Sequence, residues 1–338
     1  MHYHSFSVII VTWNALHHLK RFLPTVAETD YPNMEIIIAD NASADGSAEW
    51  LKANYPDIKI VTFNQNHGYA GGNNRAVKYA TGDILLFLNN DVRTSPNWLS
   101  ELNVAFQKDD LSIAQPKILS VEEPELFEYA GASGGFIDWL GFPFCRGRMF
   151  DTLEKDSGQY NNQVPIFWAS GAAFAIRKEL FTEAGGFDED FEFHMEEIDL
   201  CWRCLKMGKS IAVIPNSEVF HLGGGSLPAN SPRKVFYNYR NSLVMLLKNL
   251  DKYVYAKIFV RLCLDGISGI RLLFQGKAAE TIAIIRSHFA FYGMVSKTLD
   301  KRKDAEKRKS SDSFKSLILN RLIVTEYFLK GKKTYSEL

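Results

Sequence analysis

The first hundred residues alternate between strand-like and helix-like patterns, and this alternation constrains the fold more than any other feature of the sequence. Apolar runs typical of buried strands occur at residues 7–13, 35–40, 58–64 and 84–88. Between them lie helical patterns at residues 16–27, 47–55 and 73–80. Such alternation builds a largely parallel sheet with helices on both faces. The sequence therefore predicts a Rossmann-like α/β domain that binds its ligand beyond the carboxyl ends of the strands.

Polar side chains follow each of these four strands. They are Thr12 and Asn14, then Asp40 and Asn41, then Asn66, and finally Asn89, Asn90 and Asp91. One such strand end is explained by an N-cap of the next helix, because Asn and Asp are good N-caps. Four strand ends in succession favour one shared site for a nucleotide-like ligand.

The segment GYAGGNN, residues 68–74, is rich in glycine but has neither the G-x-G-x-x-G spacing of dinucleotide-binding folds nor that of a P-loop. We interpret it as a flexible loop that lets the backbone approach a ligand. Gly68 and Asn74 therefore join the candidate donor-binding residues.

Asp91 is the strongest candidate for a metal ligand. A carboxylate at a strand end, beside the amide oxygen of Asn89, offers the hard ligands that Mg²⁺ or Mn²⁺ prefers. The alternative is an N-cap for the helix that follows. His221 closes a later strand-like run and precedes three glycines, which makes it a second possible ligand or a packed histidine.

A second acidic group, Glu196, Glu197 and Asp199, lies where a helix is predicted to begin. At a helix start these carboxylates interact favourably with the helix dipole. The preceding segment 188–192 adds four more carboxylates, so a catalytic role is also open, with one carboxylate as general base toward a hydroxyl. Residues 166–181 predict strand, turn and helix, whereas residues 98–162 show a weak pattern that we interpret as loop and aromatic surface.

The motifs VIIVTWN, IIIADNASADGS, NQNHGYAGGNN, ATGDILLFLNNDV, ASGAAFAIRKELFTEAGGFDEDFEFHMEEIDLCWR and VFH occur in this order. This ordered set closely resembles the family 2 glycosyltransferases of the GT-A fold, over roughly residues 5 to 245. Among them it is most similar to bacterial enzymes that build rhamnose-containing or other cell-surface polysaccharides. The resemblance implies an inverting, metal-dependent transfer from a UDP- or dTDP-sugar to a hydroxyl of a growing glycan or lipid-linked acceptor.

The resemblance also implies roles for individual residues. Asp40 falls on the aspartate that binds the uracil or thymine ring, and Asp91 falls on the retained ligand of the D-x-D metal motif. Asn89 replaces the first aspartate of that motif, and His221 matches a histidine that some relatives add to the Mn²⁺ or Mg²⁺ shell. Glu196 and Glu197 fall on the E-D pair, whose second residue is the base, here a glutamate in place of aspartate.

The charge of the chain is divided unevenly along its length. Residues from Ser226 onward carry 22 Lys and Arg against 9 Asp and Glu, whereas the first 225 residues carry 17 and 30. We expect a catalytic domain at residues 1–235 and a basic helical extension at residues 236–338 that meets an anionic partner. Residues 223–234 resemble a lid, from which Arg233 and Lys234 would reach the donor diphosphate.

The extension contains a helix with one polar stripe on an otherwise apolar surface. The stripe consists of Lys257, Arg261, Asp265, Ser268, Arg271 and Gln275. Two interpretations stay open: packing against the main domain or in a homo-oligomer, and contact with an anionic membrane surface, to which the basic segment 301–309 would add. No nucleic-acid recognition motif accompanies the basic charge, so we expect no nucleic-acid partner.

The four cysteines suggest no disulfide framework, and the N-terminal segment lacks the pattern of a signal peptide, so we expect a cytoplasmic protein on the inner face of the membrane. Cys201 and Cys204 have the spacing of a redox or zinc pair but fit better as packed helix residues. Two other functions compete with transfer. One is a sugar nucleotidyltransferase, and the other is a nucleotide-sugar-binding protein that has lost catalysis.

Overall fold

The computed structural model describes residues 2–223, 231–306 and 311–338. The strands are β1 (Phe6–Thr12), β2 (Met34–Asp40), β3 (Lys59–Thr62), β4 (Ile84–Leu88), β5 (Val92–Thr94), β6 (Leu111–Ser120), β7 (Gly135–Asp138), β8 (Pro143–Cys145), β9 (Arg148–Met149), β10 (Thr152–Leu153), β11 (Val164–Pro165), β12 (Ala173–Arg177), β13 (Ser210–His221) and β14 (Ile318–Leu319). The helices are α1 (Leu16–Ala27), α2 (Ser47–Asn54), α3 (Gly68–Ala76), α4 (Trp98–Phe106), α5 (Lys178–Ala184), α6 (Glu196–Lys206), α7 (Pro232–Asn249), α8 (Val254–Phe274) and α9 (Ala278–Glu306).

The large sheet has the order β11-β13-β6-β12-β4-β1-β2-β3, and β5 pairs with β13. Strands β1 to β4 are parallel to one another, as the alternation predicts. Beyond them the sheet is mixed, because β12 runs antiparallel to both β4 and β6. The carboxyl ends of β1, β2 and β4 therefore meet at one edge of the sheet.

The continuously apolar sequence of β4 is explained by burial on both faces of the strand. All five residues are buried, and successive side chains enter two different cores. Leu85 and Phe87 belong to one core, whereas Leu86 and its alternating neighbours belong to the other. Side chains alternate between the two faces of a strand, so burial on both faces requires an apolar residue at every position.

The glycine-rich segment 68–74 is helical, and its interpretation as a flexible loop is wrong. It forms most of α3. A Cβ at Gly72 would stand 2.9 Å from both Asn41 Nδ2 and Val11 Cγ1. The glycine therefore allows the helix to pack closely on the strand ends of the sheet.

Residues 98–162 are also more ordered than their pattern indicates. They contain α4, the buried strand β6 and four strands of a second sheet, in the order β10-β9-β8-β7-β14. Phe144 and Cys145 are buried in that sheet instead of forming an aromatic surface. Strands of two to four residues are too short to show a period, which explains the weak pattern.

The C-terminal helices pack on the main body, and the chain then returns to the second sheet. Residue 235, the expected domain boundary, lies within α7. The start of this helix is capped by Ser231, because Ser231 Oγ accepts a hydrogen bond from the Lys234 N–H at 3.2 Å. Strand β14 pairs in parallel with β7. No helix in the described ranges has an apolar stretch long enough to cross a bilayer.

Candidate active site

Four side chains meet at one corner of the large sheet: two follow β4, one ends β13 and one lies in the segment between β6 and β7. His221 Nε2 lies 3.1 Å from Asp91 Oδ1 and 3.2 Å from Asn89 Nδ2. His221 Nδ1 lies 3.2 Å from Glu128 Oε2, without an aligned hydrogen bond. We call Asn89, Asp91, Glu128 and His221 the strand-end corner.

Strand pairing explains this meeting. Asn89 and Asp91 follow β4, and the chain then enters β5, where Val92 pairs with His221 at the end of β13. The Leu222 N–H donates to the Asp91 carbonyl oxygen at 3.1 Å, which ties the two segments together one residue further on. The sequence positions of Asp91 and His221 at strand ends thus become a contact between side chains.

The corner is buried and strongly charged. Burial lowers the pKa of His221, but the carboxylates of Asp91 and Glu128 outweigh this and raise it to about 10. Burial raises the pKa of Asp91, and the charge and hydrogen bond of His221 outweigh this, so the pKa is lowered. Asp91 is therefore ionised at neutral pH, as a metal ligand must be.

The donor set of the corner suits a divalent cation. A carboxylate, an imidazole and an amide oxygen are ligands of Mn²⁺ and Mg²⁺, which commonly take further ligands from substrate phosphates. Among the residues that the structure describes, no group of three or more His, Cys, Asp or Glu side chains forms a complete metal site. The protein offers a partial shell of Asp91 and Asn89. His221, which Asp91 and Glu128 hold as an imidazolium, would join this shell only when metal binding displaces its proton.

Only some of the side chains that were predicted to bind the nucleotide contact one another. Asn90 Nδ2 donates to Thr12 Oγ1 at 3.3 Å, and Thr12 pairs in register with Asp40. The buried Asp40 accepts from the Ser43 N–H at 3.1 Å, and Asn14 Oδ1 accepts from the Ala44 N–H at 2.8 Å. These contacts fix the loop after β2, where the family resemblance implies that the uracil or thymine ring binds.

Three other candidates have structural partners. Asn41 Nδ2 donates to the Gly68 carbonyl oxygen at 3.0 Å, and Asn66 Oδ1 accepts from the Gly68 N–H at 2.8 Å. Both residues therefore fix the start of α3. Asn74 does not lie at the nucleotide edge, because its amide bonds both the N–H and the carbonyl oxygen of Phe187.

The acidic helix start presents a pair of carboxyl groups with raised pKa values. Glu196 is buried and Glu197 is half-buried, and one carboxyl oxygen of each has no hydrogen-bond partner. Burial raises the pKa of Glu197 to about 7, although backbone N–H groups at the helix start work against this. Burial and the charge of Glu197 raise the pKa of Glu196 well above its usual range. Both carboxyl groups therefore hold their protons to higher pH than an exposed glutamate, and Glu197 can exchange its proton near pH 7.

Asp199 is hydrogen-bonded in a different network and does not join this pair. Its carboxylate accepts from Arg203 and Lys248, each at 2.9 Å, and from Asn249 at 2.8 Å. It is fully buried in this network. The structure therefore places Asp199 in an ion-pair network between α6 and α7, which corrects its assignment to the catalytic group.

The acid pair and the strand-end corner lie close together. Burial raises the pKa of the Cys145 thiol, and the charges of Glu128 and Glu197 raise it further. The thiol therefore lies within electrostatic range of both the strand-end corner and the acid pair. Lys234, at the start of α7, lowers the pKa of His194 beside the acid pair, while its own pKa feels the charge of Glu128. Residues 224–230, most of the predicted lid, lie outside the described residues.

A strained loop precedes the acid pair. Glu192, His194 and Met195 all have positive φ angles, between 60° and 73°. Asn241 of α7 holds this loop, because its buried Nδ2 lies 2.6 Å from the Phe191 and Phe193 carbonyl oxygens and 2.9 Å from that of His194. The neighbouring Arg240 donates to the Phe191 carbonyl oxygen at 3.1 Å.

Glu128, Arg240 and Asn241 are site residues that the sequence analysis missed. Glu128 lies in the segment with no clear pattern, so nothing marked it. Asn241 and Arg240 could have been suspected, since an Arg-Asn pair inside an apolar helix must find polar partners when it is buried.

Comparison with known proteins identifies a family and relatives of this chain. The model of the family "Glycosyl transferase family 2" matches residues 7–182. A low-salt glycan biosynthesis hexosyltransferase of Haloferax volcanii is 24% identical over 80% of this chain and 85% of its own length. An N-acetylglucosaminyl-diphospho-decaprenol L-rhamnosyltransferase of Mycobacterium tuberculosis is 26% identical over 63% and 75%.

Solved structures share the fold at low sequence identity. Residues 1–349 of S. aureus TarS align with a TM-score of 0.56 and 17% identity, over 97% of this chain and 92% of that one. GalNAc-T7 with UDP, GalNAc and Mn²⁺ aligns with a TM-score of 0.59 and 19% identity, over 74% and 49%. The expected GT-A fold with C-terminal helices is thereby confirmed.

Proposed function

This chain belongs to glycosyl transferase family 2, and from that premise we propose that it moves a sugar from a UDP- or dTDP-sugar to a hydroxyl group of an acceptor glycan. One observation carries the proposal: a half-buried glutamate with a pKa of about 7 lies beside a second, buried carboxyl group and near a strand-end corner suited to a divalent cation. A titratable base with this pKa is matched to proton removal at neutral pH.

The reaction is an inverting single displacement. The Glu197 carboxylate takes the proton of the acceptor hydroxyl, and the hydroxyl oxygen forms its bond to the anomeric carbon. The bond from that carbon to the diphosphate oxygen breaks on the opposite face, and the nucleoside diphosphate leaves with the electron pair. One base suffices for this path, and the carboxyl group of Glu196, whose pKa burial raises well above its usual value, lies beside it.

The donor lies along the strand edge in this proposal. Asp40 binds the uracil or thymine ring, and Thr12, Asn14 and Asn90 line the path toward the diphosphate. Asp91 and Asn89 would hold Mn²⁺ or Mg²⁺, joined by His221 once the metal displaces its proton to solvent, and the metal would supply positive charge against the leaving diphosphate. Support comes from the ionised Asp91 within 3.1 Å of His221 and from the Mn²⁺ in the structure of GalNAc-T7.

The acceptor is a growing cell-surface glycan, carried on a lipid at the inner face of the cytoplasmic membrane. Support for a lipid-linked acceptor comes from the decaprenol-linked substrate in the name of the mycobacterial relative. The acceptor hydroxyl must reach Glu197, so it enters near the start of α7, where Lys234 lies.

Calorimetric binding tests the donor site first. UDP, dTDP and GDP are each titrated into the full chain with Mn²⁺, with Mg²⁺ and with a chelator. We expect binding of UDP or dTDP that needs the metal and is lost in Asp91→Asn, with Glu122→Gln, an exposed carboxylate, as matched control. Binding that ignores the chelator contradicts the metal assignment, and tighter binding of GDP contradicts the donor assignment.

A further inference from the structure

Helix α8 is inverted with respect to an ordinary surface helix, because its polar stripe faces the protein and its apolar residues face outward. Arg261 and Asp265 are only 3% and 2% exposed, whereas Phe259 and Phe274 are 67% and 89% exposed. A surface helix of a globular protein shows the opposite pattern. This decides in part between the two interpretations of the stripe. Its middle, Arg261 and Asp265, packs on the protein, its end at Arg271 is exposed, and the apolar face is left outside.

The inward orientation is fixed by specific contacts. Arg261 donates to the Leu140 carbonyl oxygen at 3.0 Å and to Ser242 Oγ at 2.8 Å, and its guanidinium lies 3.7 Å from the centre of the Phe142 ring. Asp265 lies 3.3 Å from His288 of α9. Turning the helix over would bury apolar side chains but leave these charges unpaired.

The exposed face forms a continuous stripe at helical spacing. On α8 it consists of Tyr255, Phe259, Cys263, Ile267, Ile270 and Phe274. On α9 a second stripe consists of Ile282, Ile285, Phe289 and Tyr292. The helices lie side by side, since Thr281 Oγ1 donates to the Gly269 carbonyl oxygen at 2.9 Å. An exposed apolar surface of this extent marks an interaction site.

The charges around this face select the partner. Between residues 252 and 299 the chain carries seven Lys and Arg against two Asp and Glu. Lys252, Arg271, Lys277 and Arg286 are exposed, whereas Asp265 is buried and Glu280 is half-buried. A second copy would bring like charges together, whereas an anionic bilayer offers both an apolar interior and opposite charge.

We propose that the outward face of α8 and α9 lies in the interface of an anionic bilayer, with its aromatic and aliphatic side chains among the acyl chains and its basic residues at the headgroups. Neither helix can span the bilayer, so the contact is peripheral. The inference uses no donor, metal or acceptor, so it stands apart from the proposed chemistry.

Cys263 gives a direct probe, because it lies on the stripe and the other three cysteines are buried. The full chain is labelled at Cys263 with an environment-sensitive fluorophore and mixed with phosphatidylcholine vesicles that contain about 30% phosphatidylglycerol. We expect a blue shift with increased emission, much weaker binding to vesicles of phosphatidylcholine alone, and loss of binding at high salt.

Two double variants distinguish insertion of this face into the bilayer from nonspecific adsorption to vesicles. Phe259→Ser with Phe274→Ser should weaken co-flotation with these vesicles by about tenfold or more. The control Tyr79→Ser with Val104→Ser, at two exposed positions of the main body, should leave it unchanged. Equal flotation of both variants would overturn the proposal. So would an unshifted fluorophore in a chain that sediments as a dimer, since a second copy would then cover the face.

Discussion

Glu197 is the residue on which the proposed chemistry depends most directly. Glu197→Gln keeps the shape of the side chain but removes the base, so we expect transfer to fall by about 10²–10⁴-fold. The affinity for UDP or dTDP with metal should change little, because Glu197 is not among the residues assigned to the nucleotide or to the metal. The measurements are initial rates of nucleoside diphosphate release and calorimetric binding.

The matched control for Glu197→Gln is Glu189→Gln, in the same acidic segment. Glu189 forms a partly exposed ion pair with Arg75, and such pairs contribute little to stability. It should leave both rate and binding nearly unchanged. If Glu197→Gln lost nucleotide binding together with transfer, the residue would be structural or a metal ligand.

The pH dependence follows from the raised pKa of Glu197. The base must be ionised, so kcat/KM should rise with pH through about 7 and level off above it. Below that range the rate should fall about tenfold for each pH unit. The Glu197→Asp variant keeps a carboxylate, so it should retain measurable activity, and its kcat/KM should also rise with pH. A wild-type profile with its inflection near the ordinary glutamate pKa would show that burial does not govern this group.

Asn241 acts on the acid pair through the strained loop. Asn241→Ala removes the donor to the carbonyl oxygens of residues 191, 193 and 194, so the loop relaxes and Glu197 shifts. Small displacements of a catalytic group are costly, and we expect kcat to fall by about tenfold or more while KM for the donor changes little.

The control for Asn241→Ala is Asn238→Ala on the same helix, where no hydrogen bond of the side chain is found among the described residues. Rates are normalised to the fraction of chains that bind nucleotide, which removes the effect of unfolding. A loss of kcat that disappears after this normalisation would show that Asn241 serves stability alone.

At the scale of elements, buried ion pairs join the C-terminal helices to the acidic segment. Lys248 of α7 lies 2.6 Å from Asp188 and 2.9 Å from Asp199, and all three side chains are buried. Lys248→Met would leave two carboxylates without this partner. We expect the free energy of unfolding to fall by about 3–5 kcal/mol.

Urea unfolding of Lys248→Met measures this loss, with Lys303→Met as control. Lys303 pairs with Asp300 on the same set of helices, but both side chains are 70% exposed. Its removal should cost less than about 1 kcal/mol. Equal effects of the two substitutions would mean that burial adds nothing to the pair.

The sequence predicted some elements well because their patterns are long and regular. Helix α1 has the predicted bounds, and β13 ends at His221 as expected. The short strands β7 to β10 were missed because runs of two to four residues show no period. The helical glycines of α3 were missed because their packing role depends on Asn41 and Val11. The same holds for the site. Its residues at strand ends could be recognised from the sequence, whereas Glu128 and Asn241 are brought to the site only by tertiary packing.

At the scale of the whole molecule, the basic extension meets the acidic body of its own chain. Lys297 and Lys301 of α9 pair with Asp190, at 2.6 and 2.7 Å. Part of the segment 301–309 therefore points inward and not toward an external partner, which corrects the expectation drawn from charge alone. The basic residues still free to meet an anionic surface are those beside the apolar face of α8 and α9.

The C-terminal segment returns to the second sheet, so we expect the molecule to unfold as a single cooperative unit. Strand β14 extends the second sheet, and Tyr335 packs against the rings of Phe136, Phe144 and Tyr160. A chain that ends at residue 306 loses these contacts and exposes the apolar side of the second sheet. We expect a free energy of unfolding lower by about 5 kcal/mol or more, which is a large part of the stability of a typical domain.

Thermal unfolding and size-exclusion chromatography of the shortened chain test this expectation, with Leu329→Ser in the full chain as control, since Leu329 is 82% exposed. Hydrogen exchange of the full chain gives a measurement that does not depend on solubility. Amides of β7 and β14 should exchange together and with the slow rate of the main sheet, because they share one core. Fast exchange of β14 beside a protected β7, or a shortened chain of unchanged stability, would show instead that the return segment is an appendage and that the body folds without it.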